Sequence, residues 1–168
     1  MLCIIEGSDK AGKSTLAKHL SEVFGLKCTH LSKPKTNDSF KEYSDMINNI
    51  KGPMIYDRSF LSEYVYATLW RGGCKITNDQ FRELEHKIVL KAHELKLQIF
   101  VIYASAPFDV IKDRCIIEKE DLLQLDQIAQ CQKLYSEIMS KTMLKRIYYN
   151  SSTQQPKNIS ELITNLFY

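Results

Sequence analysis

The sequence lacks the features that mark several large classes of protein. Its five cysteines are dispersed, and the absence of a CxxC pair argues against a zinc site. An odd number of cysteines without framework spacing indicates reduced thiols, as in the cytosol. No apolar run approaches the roughly 20 residues of a membrane span, and the first one ends at Glu6, too early for a signal peptide. We therefore expect a cytoplasmic protein, in the host cytoplasm if the chain is viral.

Strong charge and repetition are also missing. The net charge of +3 is too small to indicate a nucleic acid or a membrane as a partner. Because the chain has no internal repeat, low-complexity tract or interdomain linker, we expect residues 1–168 to form one domain with a substantial core. The hydrophobic content of 44% and the charged content of 26% are typical of globular proteins.

What the chain does contain is a regular alternation of short apolar segments and amphipathic segments. Strands are predicted over residues 2–5, 26–31, 54–56, 99–103 and 146–149. Helices are predicted over residues 13–24, 39–50, 60–70, 77–95, 107–115 and 121–140, and from Asn158 onwards. Capping-box patterns at Thr77-x-x-Gln80 and Asn158-x-x-Glu161 support two of the helix starts. This alternation predicts an α/β sandwich of three layers around a five-stranded parallel sheet.

The first polar loop has the sequence of a phosphate-binding loop. Residues 7–14, GSDKAGKS, match G-x-x-x-x-G-K-[ST] between an apolar strand and an amphipathic helix. Its glycines allow backbone N–H groups to surround a phosphate at the positive end of the helix. Lys13 can reach the β- and γ-phosphates, and the Ser14 hydroxyl can bind Mg²⁺. The predicted ATP-binding residues here are Gly7, Ser8, Asp9, Lys10, Ala11, Gly12, Lys13, Ser14 and Thr15.

Proteins with such a loop either hydrolyse the nucleotide as switches and motors or transfer its phosphate. A GTPase switch needs an Asn/Thr-Lys-x-Asp sequence to bind guanine, and none occurs in this chain. A motor needs a larger chain or partner subunits. The sequence therefore favours a small kinase, with a P-loop module that binds nucleotide without catalysis as an alternative.

A second motif lies in residues 54–73, MIYDRSFLSEYVYATLWRGG. Asp57-Arg58-Ser59, followed by Ser62 and Tyr66, resembles the thymidylate kinase pattern of Asp-Arg-aromatic, a serine three residues later and an aromatic before a glycine-containing loop. Residues 9–15 resemble the P-loop of one branch of that family. Residues 99–114 are similar to its fourth strand and the following helix, and residues 148–152 to its last strand and base-side loop. The resemblance covers nearly the whole chain, which is shorter than a typical member, and this favours a phage or viral version.

The resemblance implies a fold like that of nucleoside monophosphate kinases, ATP and Mg²⁺ as cofactors, nucleotides as small-molecule partners and a homodimer. It implies that Arg58 binds the acceptor phosphate, for which its guanidinium fork is suited. It also implies that Asp57 holds Mg²⁺ through water or orients the acceptor, and that Arg114 and Asn150 lie near adenine. The predicted metal-binding residues are thus Ser14 and Asp57.

Members of this family close a lid over the phosphates and place a catalytic cation in the lid or in the P-loop. The lid candidate, residues 115–122, contains only Lys119 as a cation. The resemblance therefore assigns stabilisation of the transferred phosphoryl group to Lys10 in the P-loop. The predicted catalytic residues are Lys10, Lys13, Asp57 and Arg58.

The acceptor is left open between two kinase families, because deoxynucleoside kinases also resemble this sequence through Asp57-Arg58-Ser59. Those enzymes typically carry a glutamate, often before a proline, after the second strand to take the proton of the sugar hydroxyl. This chain has Lys33 before Pro34, which suits a phosphate already present on the substrate. We therefore expect a deoxynucleoside monophosphate, dTMP or a dUMP derivative. Asp38 would support a deoxynucleoside kinase instead, and a nucleic-acid end or a modified base is a third class of acceptor.

The acceptor pocket is predicted from the same resemblance. Phe40 and Tyr43 are the candidates for stacking on the base, Tyr66 for excluding a ribose 2′-hydroxyl, and Arg71 for reaching the nucleotide. The predicted acceptor-binding residues are Asp9, Lys33, Phe40, Tyr43, Arg58, Ser62, Tyr66 and Arg71.

Overall fold

The structure is a computed structural model that describes residues 1–117 and 125–167. The described residues alternate between strands and helices along most of the chain. The strands are β1 (Leu2–Glu6), β2 (Cys28–His30), β3 (Met54–Asp57), β4 (Ile99–Ser105) and β5 (Arg146–Asn150). The helices are α1 (Lys13–Phe24), α2 (Ser39–Asn48), α3 (Phe60–Trp70), α4 (Asn78–Glu94), α5 (Phe108–Ile117), α6 (Leu125–Lys141) and α7 (Pro156–Phe167).

The strands form one five-stranded, all-parallel sheet in the order β2-β3-β1-β4-β5, which confirms the predicted fold class. β1 lies in the centre and pairs with both β3 and β4. Parallel strands in open α/β sheets bring their carboxyl ends to one edge, where ligands bind. The register pairs Ile5 with Asp57, so the P-loop and the Asp57-Arg58-Ser59 segment leave the sheet side by side.

Hydrophobic cores lie on both faces of the sheet and produce the three layers. Alternate residues of β1 point to opposite faces, as expected for a strand buried on both sides. Leu2 and Ile4 pack with residues of α2, α3, α4 and α6, whereas Cys3 and Ile5 pack with residues of α1 and α7. In the part of the chain described here, every helix is too short or too polar to span a bilayer.

Some element boundaries differ from the prediction. β2 is an edge strand of only three residues, shorter than the predicted 26–31. The Thr77–Gln80 capping box is confirmed, since the Thr77 hydroxyl accepts from the Gln80 backbone N–H and the Gln80 side-chain Oε1 accepts from the Thr77 backbone N–H. The predicted start of the last helix at Asn158 is wrong: α7 begins at Pro156, and the Asn158 side chain accepts from the Gln155 N–H at 2.8 Å. Lys119 and most of the predicted lid lie outside the described residues.

Candidate active site

The P-loop connects β1 to α1 and depends on glycine at two positions. Gly7 has φ +145°, and a Cβ there would lie 2.0 Å from the Ala104 carbonyl oxygen of the neighbouring strand. Gly12 has φ +89° and occupies the N-cap of α1 without a side-chain capping bond. The first N–H groups of α1 therefore remain available to a phosphate at the positive end of the helix.

Lys13 is the buried cation of this loop. Its side chain is 6% exposed, and its Nζ donates to the Ser8 carbonyl at 2.7 Å and lies 3.9 Å from Asp9 Oδ1. Burial is the main cause that lowers the pKa of Lys13 from its ordinary value. The ammonium group is held inside the loop curvature, where a bound polyphosphate would meet it.

A cavity of about 840 Å³ opens in front of the P-loop, and we call it the donor cavity. The P-loop forms one wall, and the segment that follows β5 contributes to the other. Of the predicted ATP-binding residues, those that line it are Asp9, Lys10, Gly12, Lys13, Ser14, Thr15 and Arg114. Gly7, Ser8 and Ala11 are the buried residues of the loop behind this surface.

Arg114 connects the two walls of the donor cavity. Its Nη1 donates to the Lys10 carbonyl at 2.7 Å and to Ser151 Oγ at 2.9 Å. Asn150 does not line the cavity, and its side-chain oxygen instead accepts from the N–H and the hydroxyl of Ser152. The sequence prediction missed Gln154 and Gln155, which do line it and directly follow the loop after the last strand.

Asp57 and Ser14 line the same cavity and fit a magnesium ion by their chemistry. Asp57 Oδ2 lies 3.0 Å from His30 Nδ1, whereas Asp57 Oδ1 is buried and has no hydrogen-bond partner among the described residues. A hydroxyl and a carboxylate oxygen suit Mg²⁺, which usually retains several waters and binds substrate phosphates. The unpaired Asp57 Oδ1 atom could therefore contact the ion directly or accept a hydrogen bond from a metal-bound water.

A second cavity of about 410 Å³ adjoins the donor cavity, and we call it the acceptor cavity. It lies between α3, α2 and the loop that follows β2. Predicted residues that line it are Lys33, Tyr43, Arg58, Ser62, Tyr66 and Arg71, joined by the unpredicted His30, Glu63 and Trp70. Arg58 and His30 line both cavities, so they lie at the junction between them.

Arg58 is held at this junction by contacts in two directions. It has φ +76°, an uncommon backbone conformation for a residue other than glycine, directly after β3. Its guanidinium group forms an ion pair with Asp9 of the P-loop and lies 4.4 Å above the centre of the Tyr66 ring. The Arg58 Nε atom is buried and lacks a partner within the described part of the chain. The guanidinium group is thus held between the P-loop and α3, where the two cavities meet.

Aromatic rings of α3 form one wall of the acceptor cavity. The rings of Tyr66 and Trp70 stack with their centroids 5.0 Å apart. Tyr43 of α2 also lines the cavity, whereas Phe40 does not and lies instead beneath the Lys87 ammonium at 5.2 Å. Helical spacing was the available signal for Trp70, since it follows Tyr66 by one turn.

An ion pair between the buried Glu63 and the exposed Arg71 forms another part of the acceptor wall. The Glu63 carboxylate is 3% exposed and accepts from Arg71 Nη2 at 2.8 Å. A buried carboxylate requires such a partner because desolvation of an isolated charge is costly. Together the two groups present a hydrogen-bond acceptor and donors to the acceptor cavity.

Behind the acceptor cavity lies a buried network centred on Glu6. The Ser59 hydroxyl donates to one Glu6 carboxylate oxygen at 2.6 Å, and the Ser62 hydroxyl donates to the other. Ser62 Oγ also lies 3.0 Å from the Tyr135 hydroxyl, so this predicted acceptor-binding group is directed into the protein. Burial raises the pKa of Glu6 to about 7.

The residues proposed to distinguish the acceptors occupy different positions. Lys33 is exposed and lines the acceptor cavity. Asp38 is the N-cap of α2, where its carboxylate accepts from the Lys41 N–H at 2.9 Å, and it does not line the cavity. Lys10 has φ +60° in the P-loop and lines the donor cavity.

No family model matches the chain. The uncharacterised SPbeta prophage-derived protein YorR of Bacillus subtilis (strain 168) is 29% identical over 148 residues, which are 85% of this chain and 84% of YorR. A crystal structure of YorR in complex with phosphorylated GDP superposes with a TM-score of 0.83 at 26% identity, covering 99% of this chain and 95% of that one.

Two kinases of known activity share the architecture. The deoxyadenosine kinase of M. mycoides with bound dATP has a TM-score of 0.63 at 18% identity, with 98% of both chains covered. The thymidylate kinase of Candida albicans has a TM-score of 0.57 at 15% identity, covering 98% of this chain and 89% of that one. At these identities the likeness shows the fold, which is that of P-loop nucleoside and nucleotide kinases.

Proposed function

We propose that this protein transfers the γ-phosphoryl group of ATP to a deoxynucleoside monophosphate, with dTMP or a dUMP derivative as the preferred acceptor. The observation that carries this proposal is the meeting of the donor and acceptor cavities at Arg58. The bond between the γ-phosphorus and its bridging oxygen breaks, and an oxygen of the acceptor phosphate bonds to that phosphorus. The products are ADP and a deoxynucleoside diphosphate. A dianionic acceptor has no proton to lose, so positioning and charge stabilisation suffice.

The donor side supplies the charge stabilisation. The N–H groups of the P-loop bind the phosphates, while Lys13 reaches the β- and γ-phosphates and Lys10 faces the transferred group. Arg114 holds the wall beside adenine in place. Ser14 and Asp57 would hold Mg²⁺, which would neutralise part of the phosphate charge when bound.

The acceptor side supplies cations at one end and a base pocket at the other. Arg58 binds the acceptor phosphate with the part of its fork that Asp9 leaves available. Lys33 adds a second positive charge at the rim. The Glu63–Arg71 pair contacts the edge of the base, the rings of Tyr43 and Trp70 enclose it, and Tyr66 excludes a 2′-hydroxyl.

The relatives support this proposal at a coarse level. YorR crystallised with phosphorylated GDP, and the two kinases of the same fold act on nucleosides and nucleotides. The prophage origin of YorR supports a phage protein that acts in the host cytoplasm. A homodimer remains a prediction from the resemblance to thymidylate kinases.

The second candidate function is that of a deoxynucleoside kinase, and one observation favours it. His30 lines both cavities, and its Nδ1 lies 3.0 Å from the Asp57 carboxylate. A histidine oriented by a carboxylate is a common base for a hydroxyl proton. The chain therefore has a base near the transfer point even though Lys33 replaces the expected glutamate.

A substrate panel separates the two functions. The purified chain is incubated with ATP, Mg²⁺ and either deoxynucleosides or their 5′-monophosphates, and the Lys13→Met variant serves as a control for contaminating kinases. We expect kcat/KM for dTMP to exceed that for thymidine by a large factor. Faster turnover of nucleosides would establish the second candidate, and no turnover of either class would contradict both.

A further inference from the structure

A third cavity, of about 560 Å³, adjoins the acceptor cavity, and we call it the annex. It lies between the loop after β2 and the end of α3 with the loop that follows. The residues that matter for its chemistry are Lys33, Lys35, Glu63, Arg71 and Lys75. Lys33, Glu63 and Arg71 also line the acceptor cavity, so the two spaces share a wall.

The annex is positively charged beyond what the protein itself neutralises. Its acidic residue, Glu63, is already paired with Arg71. Lys35 and Lys75 line the annex but not the acceptor cavity, and neither forms an ion pair with another described residue. Unpaired cations that line a concave surface attract an anionic ligand.

The loop that carries Lys35 is fixed by its backbone. The Glu42 carboxylate accepts from the N–H groups of Lys35 and Thr36 and from the Thr36 hydroxyl. These bonds hold the loop without using the Lys35 ammonium group. The Glu42 carboxylate thus positions the loop, and the Lys35 residue lines the annex.

We propose that the annex binds a second anionic group of the acceptor nucleotide, one that lies away from its 5′-phosphate. This inference rests on the proposed function, because it requires a nucleotide in the acceptor cavity. Such a group is either a phosphate on the 3′-oxygen of the sugar or an acidic substituent on the base. Both present oxygen anions that Lys35 and Lys75 would bind.

Trp70 makes the test possible without labels, because it is the single tryptophan of the chain and lines the acceptor cavity. Its fluorescence is titrated with dTMP, with thymidine 3′,5′-bisphosphate and with 5-carboxy-dUMP at constant ionic strength. We expect one of the two doubly substituted nucleotides to bind roughly tenfold more tightly than dTMP. The nucleotide that gains identifies the sugar or the base as the source of the second anion.

Substitutions of the annex lysines then test whether the annex causes the tighter binding of the doubly substituted nucleotide. Lys35→Ala combined with Lys75→Ala should remove most of the gain and change the Kd for dTMP by less than about twofold. Lys51→Ala, which removes an exposed lysine that lines neither cavity, is the matched control. Equal binding of all three nucleotides, or a gain that survives in the double variant, would overturn the proposal. Failure of dTMP turnover with this binding pattern intact would instead count against the proposed function alone.

Discussion

The donor and acceptor cavities of this protein are built in different ways. The phosphate side of the donor cavity comes from one contiguous stretch, residues 7–15, whose backbone conformation creates the phosphate site. The acceptor cavity comes from side chains of α2, α3 and the loop after β2, which are distant in sequence. A backbone site accepts any nucleotide with phosphates, whereas a side-chain pocket selects its ligand, so under the proposed function we expect the specificity to reside on the acceptor side.

The cations of the two cavities also differ. On the donor side, Lys13 is buried and directed into the loop. On the acceptor side, Arg58 and Arg71 are each paired with a carboxylate before any ligand arrives. Under the proposed function, the acceptor phosphate shares the Arg58 guanidinium group with Asp9, so we expect acceptor binding to respond strongly to single charges near this ion pair.

The largest expected effect separates the two sides completely. Replacing Lys13 with methionine should lower kcat by roughly a thousandfold, because the transferred phosphoryl group loses a fixed positive charge. Since Lys13 does not line the acceptor cavity, dTMP should still quench or shift the Trp70 fluorescence with an unchanged Kd. The control is Lys18→Met, an exposed lysine of the same helix. Full activity of Lys13→Met would remove the P-loop assignment.

A second experiment addresses Glu6, which lies between the two sides. Because burial raises its pKa from 4.5 to about 7, the stabilisation from neutral Glu6 is complete below pH 4.5 and is lost as the pH rises through 7. Glu6→Gln remains neutral at all pH values. The free energy of unfolding of the wild type relative to this variant should therefore fall by about 3 kcal/mol between pH 4 and pH 8.

Chemical denaturation of both proteins across this pH range measures the difference. The hydrogen bonds that the Ser59 and Ser62 hydroxyls donate favour the ionised carboxylate, so they oppose the rise in pKa that burial causes and do not produce it. A constant offset between the two proteins would mean that Glu6 has the same pKa in the folded and the unfolded chain.

The third expected effect lies on the acceptor side alone. Arg58→Ala should raise the KM for dTMP by roughly 30-fold or more and the KM for ATP only slightly, because a charged hydrogen bond to the acceptor phosphate is lost. Arg58→Lys keeps the positive charge but loses the bidentate geometry of the guanidinium group. Its KM for dTMP should therefore lie between those of the wild type and Arg58→Ala. Arg82→Ala, on the exposed side of α4, is the control. If the KM values for dTMP and ATP rose by the same factor, Arg58 would have a structural role in both cavities and would not be specific to the acceptor.

The contrast between the cavities also explains what the sequence could predict. The P-loop was recognisable because its residues are contiguous, and its glycines Gly7 and Gly12 adopt the positive φ values that the motif requires. The alternation of elements predicted the parallel sheet, since buried strands and amphipathic helices have distinct periodicities. The strand order and the contacts of Arg114 with Lys10 and Ser151 join residues far apart in the chain, and no local pattern encodes them.

The acceptor side was predicted less completely for the same reason. Tyr43 and Phe40 are three residues apart on one helix, yet only Tyr43 lines the acceptor cavity, because Phe40 packs beside Lys87 of α4. His30 ends a strand of three residues and had no motif to mark it. Its role becomes visible only through the Asp57 carboxylate beside it, on a neighbouring strand.

The smallest effect decides the identity of the acceptor. Lys33→Glu should reduce kcat/KM for dTMP by roughly tenfold, because an exposed like charge at the rim repels the incoming dianion. Neutral thymidine carries no such charge, so any slow turnover of it should be unaffected. Lys51→Glu changes the net charge equally at an exposed site that does not line the cavity and should have no effect.

Asp38→Asn should also leave kcat/KM for dTMP nearly unchanged, because asparagine caps a helix about as well as aspartate. If Asp38→Asn abolished activity while Lys33→Glu did not, a carboxylate would be serving the acceptor after all, and the protein would be a deoxynucleoside kinase.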